Sequence, residues 1–334
     1  MNTTKLKQLG LILSWCVAAL SPLQSHAQAG DGQWPSKPVR LVVTFPPGGS
    51  ADSLSRILST RLAKELGQAV IVDNRAGAGG SIGTAVAAKA APDGYTFLVA
   101  AGGSLVVNPL LAKQSYDTLK DFVPVAQLVS SPFAPAINRN AFDNKVQDVQ
   151  GLAEHIRTHR GALSFASGGN GTQMHLVGEL FNQVTKGEMV HVPYKGGGPA
   201  IIDLIGGSIP IAFVDLASIT PSLGNDKIKV LAVSSSKRSP IAPDVPSAVE
   251  AGLPQWQAGG WIGLLAPAKT PTAIVQRMET EINKVLREKA VIDQVLQSGN
   301  EAAPSTSVAF RSFIESESRR WKAVVDTAGI KAQP

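Results

Sequence analysis

Residues 39–52 read Val39-Arg40-Leu41-Val42-Val43-Thr44-Phe45-Pro46-Pro47-Gly48-Gly49-Ser50-Ala51-Asp52. Val39 to Phe45 is a β-branched and apolar run with little alternation, the pattern of a strand buried on both faces. Two prolines and two glycines end it. Beyond them Leu54, Ile57, Leu58, Leu62 and Leu66 recur at helical spacing, so Ser50 or Asp52 is expected to cap a helix. Strand, Gly/Pro loop and helix in that order form the repeating unit of a parallel α/β sheet.

The unit recurs along the chain. Gln68–Asp73 reads as a strand, Asn74–Gly83 as a glycine-rich turn and Thr84–Ala90 as an Ala-rich helix. Pro92-Asp93-Gly94 turns the chain into a third strand at Tyr95–Ala100. Val123–Val129 and Ala134–Ile137 look extended, and Val149–His159 helical. Leu163–Ala166 is a short strand ended by Ser167-Gly168-Gly169-Asn170-Gly171. Thr172 then opens a helix with Leu176, Val177, Leu180 and Phe181 inward. Met189–Pro193 and Ile209–Val214 flank a helix through Ile201 and Leu204, and Lys229–Ser234 reads as one more strand. Ser234–Pro246 is linker-like. Pro271–Ser298 reads as one amphipathic helix and Val308–Ala328 as the terminal one.

Composition narrows the function classes. Hydrophobic residues make up 44% of the 334, enough for a real core. Aromatics are only 5%, and the +6 charge contains no run of Lys or Arg, which argues against a nucleic-acid surface. Cys16 is the single cysteine, so disulfide scaffolds and cysteine metal sites are excluded. Lys5 and Lys7, the apolar run Leu9–Leu20 and the small residues around Ala27 form the three-part pattern of a secretory leader over residues 1–27. A lipid anchor at Cys16 is the competing reading, weakened by Trp15 beside it. Cleavage near Ala27 lowers the charge to +4 and leaves no cysteine, as suits an oxidising compartment. No later stretch is apolar and long enough for a membrane helix. The reading is a soluble exported protein, placed in the periplasm.

Three strand ends share one design: Phe45 to Asp52, Asn74 to Gly83 and Ser167 to Thr172. Ligands of open α/β sheets bind beyond the carboxyl ends of strands. Helix N-termini there offer free N–H groups and a positive dipole end, and glycine lets backbone approach closely. The repeated design favours a small anion held by backbone amides and hydroxyls. Other chemistries lack their signatures. Gly77-Ala78-Gly79-Gly80-Ser81-Ile82 carries Ile82 where a dinucleotide fingerprint needs glycine, and there is neither a phosphate loop ending in Lys-Ser/Thr nor a Gly-x-Ser-x-Gly elbow. No cofactor is implied. His155 and His159 have half a metal site's spacing but stand beside Arg157 and Arg160, as on a solvated basic face. His175 either faces a ligand or packs.

Several segments together resemble one family: Phe45 to Asp52, Val72-Asp73-Asn74-Arg75-Ala76-Gly77-Ala78-Gly79-Gly80, Pro92-Asp93-Gly94-Tyr95-Thr96, Asn108-Pro109, His191-Val192-Pro193-Tyr194-Lys195-Gly196, Leu231 to Ser234, Pro243 to Gly252, and Trp261 to Pro267. In this order they are similar to the Bug-type (TctC-like) extracytoplasmic solute-binding receptors of tripartite tricarboxylate transporters. The resemblance implies a two-lobed, Venus-flytrap α/β fold with crossing hinge strands. One lobe would comprise 28–133 and 255–334, the other 134–254. It further implies a small organic acid as ligand and membrane permease subunits as partners, with a monomer as the default. Gly48, Gly49, Ser50 and the turn Ala78-Gly79-Gly80 would hold a ligand carboxylate, with Ser104 beside them and Phe45 as a wall. Ser167, Gly169, Thr172 and Asp215 would supply the other end, with Tyr194 at the rim. A sensor for a signalling partner, and a secreted hydrolase built on Asp52 and His175, are the alternatives.

Overall fold

The β-branched run condenses into β1 (Val39–Val43), whose Leu41, Val42 and Val43 are fully buried in the computed structural model, which describes residues 34–48 and 50–330. The leader and Gly49 lie outside the described residues, as does the side chain of Ser50. Residues from Lys37 onward form one compact unit, and 34–36 are the described part of the segment before it. α1 (Ser50–Leu66) buries Leu54, Leu58 and Leu62 against the sheet. β2 (Val70–Asn74), a single tight turn at Ala78–Gly80, α2 (Ser81–Ala88) and β3 (Thr96–Ala101) follow. A wide helical turn at Gly103–Val107 leads into α3 (Asn108–Leu111).

Next come β4 (Phe122–Asn138), α4 (Val149–Thr158), β5 (Ser164–Ser167), α5 (Gln173–Thr185) and β6 (Val190–Pro193). α6 (Gly197–Gly206), β7 (Ile211–Asp215), α7 (Leu216–Ile219) and β8 (Ile228–Val230) continue the alternation. β9 (Gly259–Pro267), α8 (Thr272–Leu286), α9 (Lys289–Gln297), β10 (Glu301–Ala302) and α10 (Ser307–Ala328) complete the described chain.

Two groups of strands repeat one plan. β2, β1 and β3 run parallel in that order, with β9 antiparallel beside β3. β6, β5 and β7 run parallel in that order, with β4 antiparallel beside β7. β4 joins them. It pairs with β9 from Phe122↔Pro267 to Pro132↔Gly259, and then with β7 from Phe133↔Asp215 to Ile137↔Ile211. The second crossing is the entry to β9, where Ala258 N donates to Ser234 O at 2.9 Å just before Gly259 pairs with Pro132. The result is a two-lobed α/β architecture with crossing strands.

Aromatic side chains pack both crossings. Trp256 is fully buried, stands edge-on to Phe181 at 5.4 Å, and donates its indole N–H to Val177 O at 3.1 Å. Trp261 meets Phe310 at 5.4 Å and Phe313 at 5.5 Å, both edge-to-face, which fastens α10 to β9.

Three readings of the sequence are corrected. The two extended stretches after Phe122 are one strand of 17 residues, because Ser130-Ser131-Pro132 stays extended through the lobe change. Pro271–Ser298 is two helices, broken at Arg287–Glu288, where neither glycine nor proline announces a stop. Of the expected strand Lys229–Ser234 only Lys229 and Val230 lie in β8, since beyond them Leu231 N and Ser234 N bond single carbonyls of β4 while Val233 N turns to Pro246 O.

Gly263 on β9 lies directly under Phe310: a β-carbon there would sit 2.1 Å from Phe310 Cζ. Gly263→Ala should therefore cost about 1–3 kcal/mol by overpacking. Urea unfolding checks this, and an unchanged midpoint would contradict the described contact.

Candidate functional site

In each lobe the strand order reverses at one place. The chain leaves β1 for β2 on one side and returns to β3 on the other, and β5, β6 and β7 do the same. Such a switch point is where an open α/β sheet leaves a crevice beyond its strand ends. The first gathers the loops after β1 and β3, the second the loops after β5 and β7.

The first loop is organised by Asp52, in the first turn of α1. Its Oδ2 accepts from Gly48 N at 3.0 Å and Arg56 Nε at 2.9 Å. Its Oδ1 accepts from Asn74 Nδ2 at 3.0 Å, and the same amide donates to Phe45 O at 3.0 Å. The helix-cap expectation is thus corrected: α1 begins at Ser50, and Asp52 reaches back to the loop and sideways to β2. Its side chain is only 4% exposed. The Arg56 guanidinium first, then the Gly48 and Asn74 donors, outweigh the opposing effect of burial and hold its carboxyl at about 2.

The second loop of this lobe is the turn at Ala78–Gly80, where Ala78, Gly79 and Gly80 all have positive φ. Asn108 Nδ2 braces it, donating to Gly79 O at 3.2 Å and Ser81 Oγ at 3.0 Å. Gly80 precedes α2 without any side-chain cap. A β-carbon on Gly80 would lie 2.9 Å from Ser104 Cβ and 3.2 Å from Thr44 Cβ, so three loops meet at this glycine. Ser104 is fully buried beneath it, donating its hydroxyl to Ala101 O at 3.0 Å, and the Tyr116 hydroxyl donates to Ser104 O. Phe45 is half-buried, and Gly48 and the Ala78-Gly79 pair are exposed. The Thr44 hydroxyl is buried and unpartnered beside the first turn of α2.

The second switch point is tied internally. Ser167 Oγ accepts from Gly169 N at 3.1 Å and lies 2.6 Å from His191 Nε2. Thr172 caps α5, accepting from His175 N at 3.3 Å and donating to Gly169 O at 2.7 Å. His175 Nδ1 accepts from Gly171 N at 3.1 Å, and its ring stacks on His191 at 3.7 Å. Burial, then the neighbouring His175, pushes His191 down to about 3, so it stays neutral near pH 7. Asp215 caps α7, its two oxygens accepting from Ser218 N and Oγ at 2.8 and 2.9 Å. Tyr194 donates to Asp203 Oδ2 at 2.8 Å. The two switch points approach through α3, because a β-carbon on Gly171 would lie 2.4 Å from Leu111 Cδ1.

The structure therefore brings Phe45, Gly48, Ala78, Gly79, Gly80 and Ser104 to one switch point, and Ser167, Gly169, Thr172 and Asp215 to the other. Asp52 lies in the first turn of α1 and His175 in the first turn of α5, each bonded to its own neighbours. His155 and His159 stack on one another at 4.2 Å on α4. Two surface hollows of about 400 Å³, one lined by Arg160, Glu179 and Lys186 and the other by Asn138, Asn140 and Lys227, share no residue with either switch point. Thr44 and Gln173 escaped the sequence reading: Thr44 looks like one more β-branched strand residue, and Gln173 like an ordinary first residue of a helix.

Two α/β lobes joined by crossing strands, each ending its switch point in glycine-rich loops, define a solute-binding protein of the periplasmic type. Residues 54–330 match the Tripartite tricarboxylate transporter family receptor (TctC), and the chain belongs to that family. It is 36% identical over 300 residues to Protein BugT of Bordetella pertussis, covering 89% of this chain and 91% of that one. Among solved structures it is similar to R. palustris Rpa4515 with adipate, at 32% identity and TM-score 0.75, covering 90% of this chain and 100% of that one. MatC from Rhodopseudomonas palustris with bound malate matches at 32% identity and TM-score 0.70, over 87% and 99% of the two chains. Among the described residues no helix is long and apolar enough to cross a membrane.

Asp52 stabilises the fold only while ionised. Its folded value lies below the ordinary 3.8, so its contribution is complete above about pH 4 and disappears as pH falls towards 2. Asp52→Asn should lower stability at pH 7 by about 1–3 kcal/mol and abolish this acid limb. Unfolding midpoints between pH 2 and 7 test it, and parallel curves for the two proteins would refute the assignment.

Proposed function

We propose that this protein captures a small carboxylated organic solute between its lobes and delivers it to the membrane subunits of a tripartite transporter. The observation that carries the reading is the first switch point. There the uncapped start of α2, positive-φ backbone at Ala78–Gly80 and the unpartnered Thr44 hydroxyl meet within one loop cluster. Backbone N–H groups at a helix start favour a carboxylate. The similar structures holding adipate and malate support the same ligand class.

On this reading Gly48, Gly49, Ser50 and Ala78-Gly79-Gly80 bind one carboxylate, with Phe45 as a wall and Ser104 supporting the turn from below. Ser167, Gly169, Thr172 and Asp215 shape the opposite wall, chiefly through backbone that their side chains hold in place. Lobe 1 comprises 28–133 and 255–334, and lobe 2 comprises 134–254, with closure by hinge motion at the crossings. The leader directs the chain to the periplasm and is removed near Ala27. The receptor acts as a monomer and turns nothing over.

A ligand that binds only the folded state raises stability by about 2.7 kcal/mol at a hundred times its Kd. A thermal-shift screen of mono-, di- and tricarboxylates should therefore find at least one acid that raises Tm by several degrees at millimolar concentration. A flat screen would contradict the proposal.

A further inference from the structure

One short helix reaches both switch points. α3 follows the strand end of β3, and Gly171 follows the strand end of β5, so both stand on the cleft side of their sheets. At its first residue α3 is stitched to the turn at Ala78–Gly80: Asn108 Nδ2 donates to Gly79 O at 3.2 Å and to Ser81 Oγ at 3.0 Å. Its far end is held by Gln114, whose Nε2 donates to Asn108 O at 3.2 Å and Ala112 O at 3.0 Å. Leu111, the last residue of α3, meets the other lobe. A β-carbon on Gly171 would stand 2.4 Å from Leu111 Cδ1, so the leucine methyl lies directly on the glycine backbone.

The seat is held as firmly as the helix. Gly171 N donates to His175 Nδ1 at 3.1 Å, and the Thr172 hydroxyl donates to Gly169 O at 2.7 Å. Gly171 has φ +69°, a conformation that side chains rarely adopt, and it lets the leucine rest on bare backbone. Leu111 and Gly171 are both half-buried, so the contact can part without exposing the core of either lobe. A contact of this kind is covered when the lobes close and lost when they open. It therefore favours the closed state by the apolar area it buries.

We infer that Leu111 holds the receptor closed: on solute binding the lobes seat its methyl group on Gly171, and α3 ties that seat to the turn that receives the carboxylate. The inference rests on the carboxylate-receptor reading above. Leu111 is a positioning residue. It acts through Gly171 rather than on the solute, and its effect falls on release more than on capture.

The single cysteine, Cys16, lies in the leader, so the leader-free protein has none. Leu111→Cys with Gly171→Cys then places two thiols at the contact and nowhere else. Mild oxidation is followed by loss of free thiol, with malate, adipate or citrate present or absent. The pair should form an intramolecular disulfide, several times faster with a bound acid than without. In the cysteine-free protein Leu111→Ala should weaken the same acid about tenfold by faster release, with the association rate within about twofold, and Leu111→Met should restore most of the loss. Circular dichroism and the unliganded Tm establish folding, and the oxidation rates decide the question should the Ala variant fail to fold. A folded double-cysteine protein that forms no disulfide, or forms it equally fast with and without a bound acid, overturns the role of Leu111 alone, as does an unchanged release rate in Leu111→Ala. A wild type that binds none of these acids overturns the receptor reading beneath it as well.

Discussion

The structure depends on one continuous strand serving two sheets. β4 bonds β9 along its first part and β7 along its last, and the change falls between Pro132 and Phe133. Pro132 has no N–H to offer either ladder, which suits a residue at a change of partners. Because backbone hydrogen bonds continue through the change, the lobes are held in register with one another. The return crossing at Ala258–Gly259 lies against the same point of β4, so both connections are close together and a hinge there is short. Trp256 packs the second-lobe side of this junction and Trp261 the first-lobe side.

Around that frame the two lobes repeat one topology but finish their switch points differently. The first ends in an uncapped helix start and exposed glycine-rich backbone. Asp52, in the first turn of α1, has both oxygens occupied by Gly48, Arg56 and Asn74. A carboxylate so neutralised fixes the loop without presenting free negative charge to an anion. At the second switch point Ser167, Thr172, His175 and His191 are tied to one another and to the Gly169–Gly171 backbone, while Asp215 caps α7 through Ser218. One lobe thus leaves glycine-rich backbone exposed at its switch point, and the other fills its own with side chains bonded to their neighbours.

Most of the architecture was readable in the sequence because its signals are local. The β-branched run at Val39 to Phe45 and the leucines of α1 dictate their elements whatever surrounds them. The Gly/Pro loops mark strand ends for the same reason. What escaped depends on distant partners. Asp52 looks like a cap until Asn74, on the neighbouring strand, takes its second oxygen. The break at Arg287–Glu288 has no glycine or proline to announce it, and its Glu288 pairs with the distant Arg61 of α1 at 3.0 Å. Thr44 and Gln173 gain meaning only because the folded chain buries their polar atoms without partners. No spacing rule reveals an atom left unpaired.

The central claim is that a carboxylate is held between the two switch points. A crystal structure of the leader-free protein grown with the organic acid that stabilises it most tests this directly. The account predicts one carboxylate within hydrogen-bond distance of backbone amides in residues 78–82 and of the Thr44 hydroxyl, with the rest of the solute extending towards residues 167–173. Acid found instead in either surface hollow, with both switch points free of it, would contradict the account.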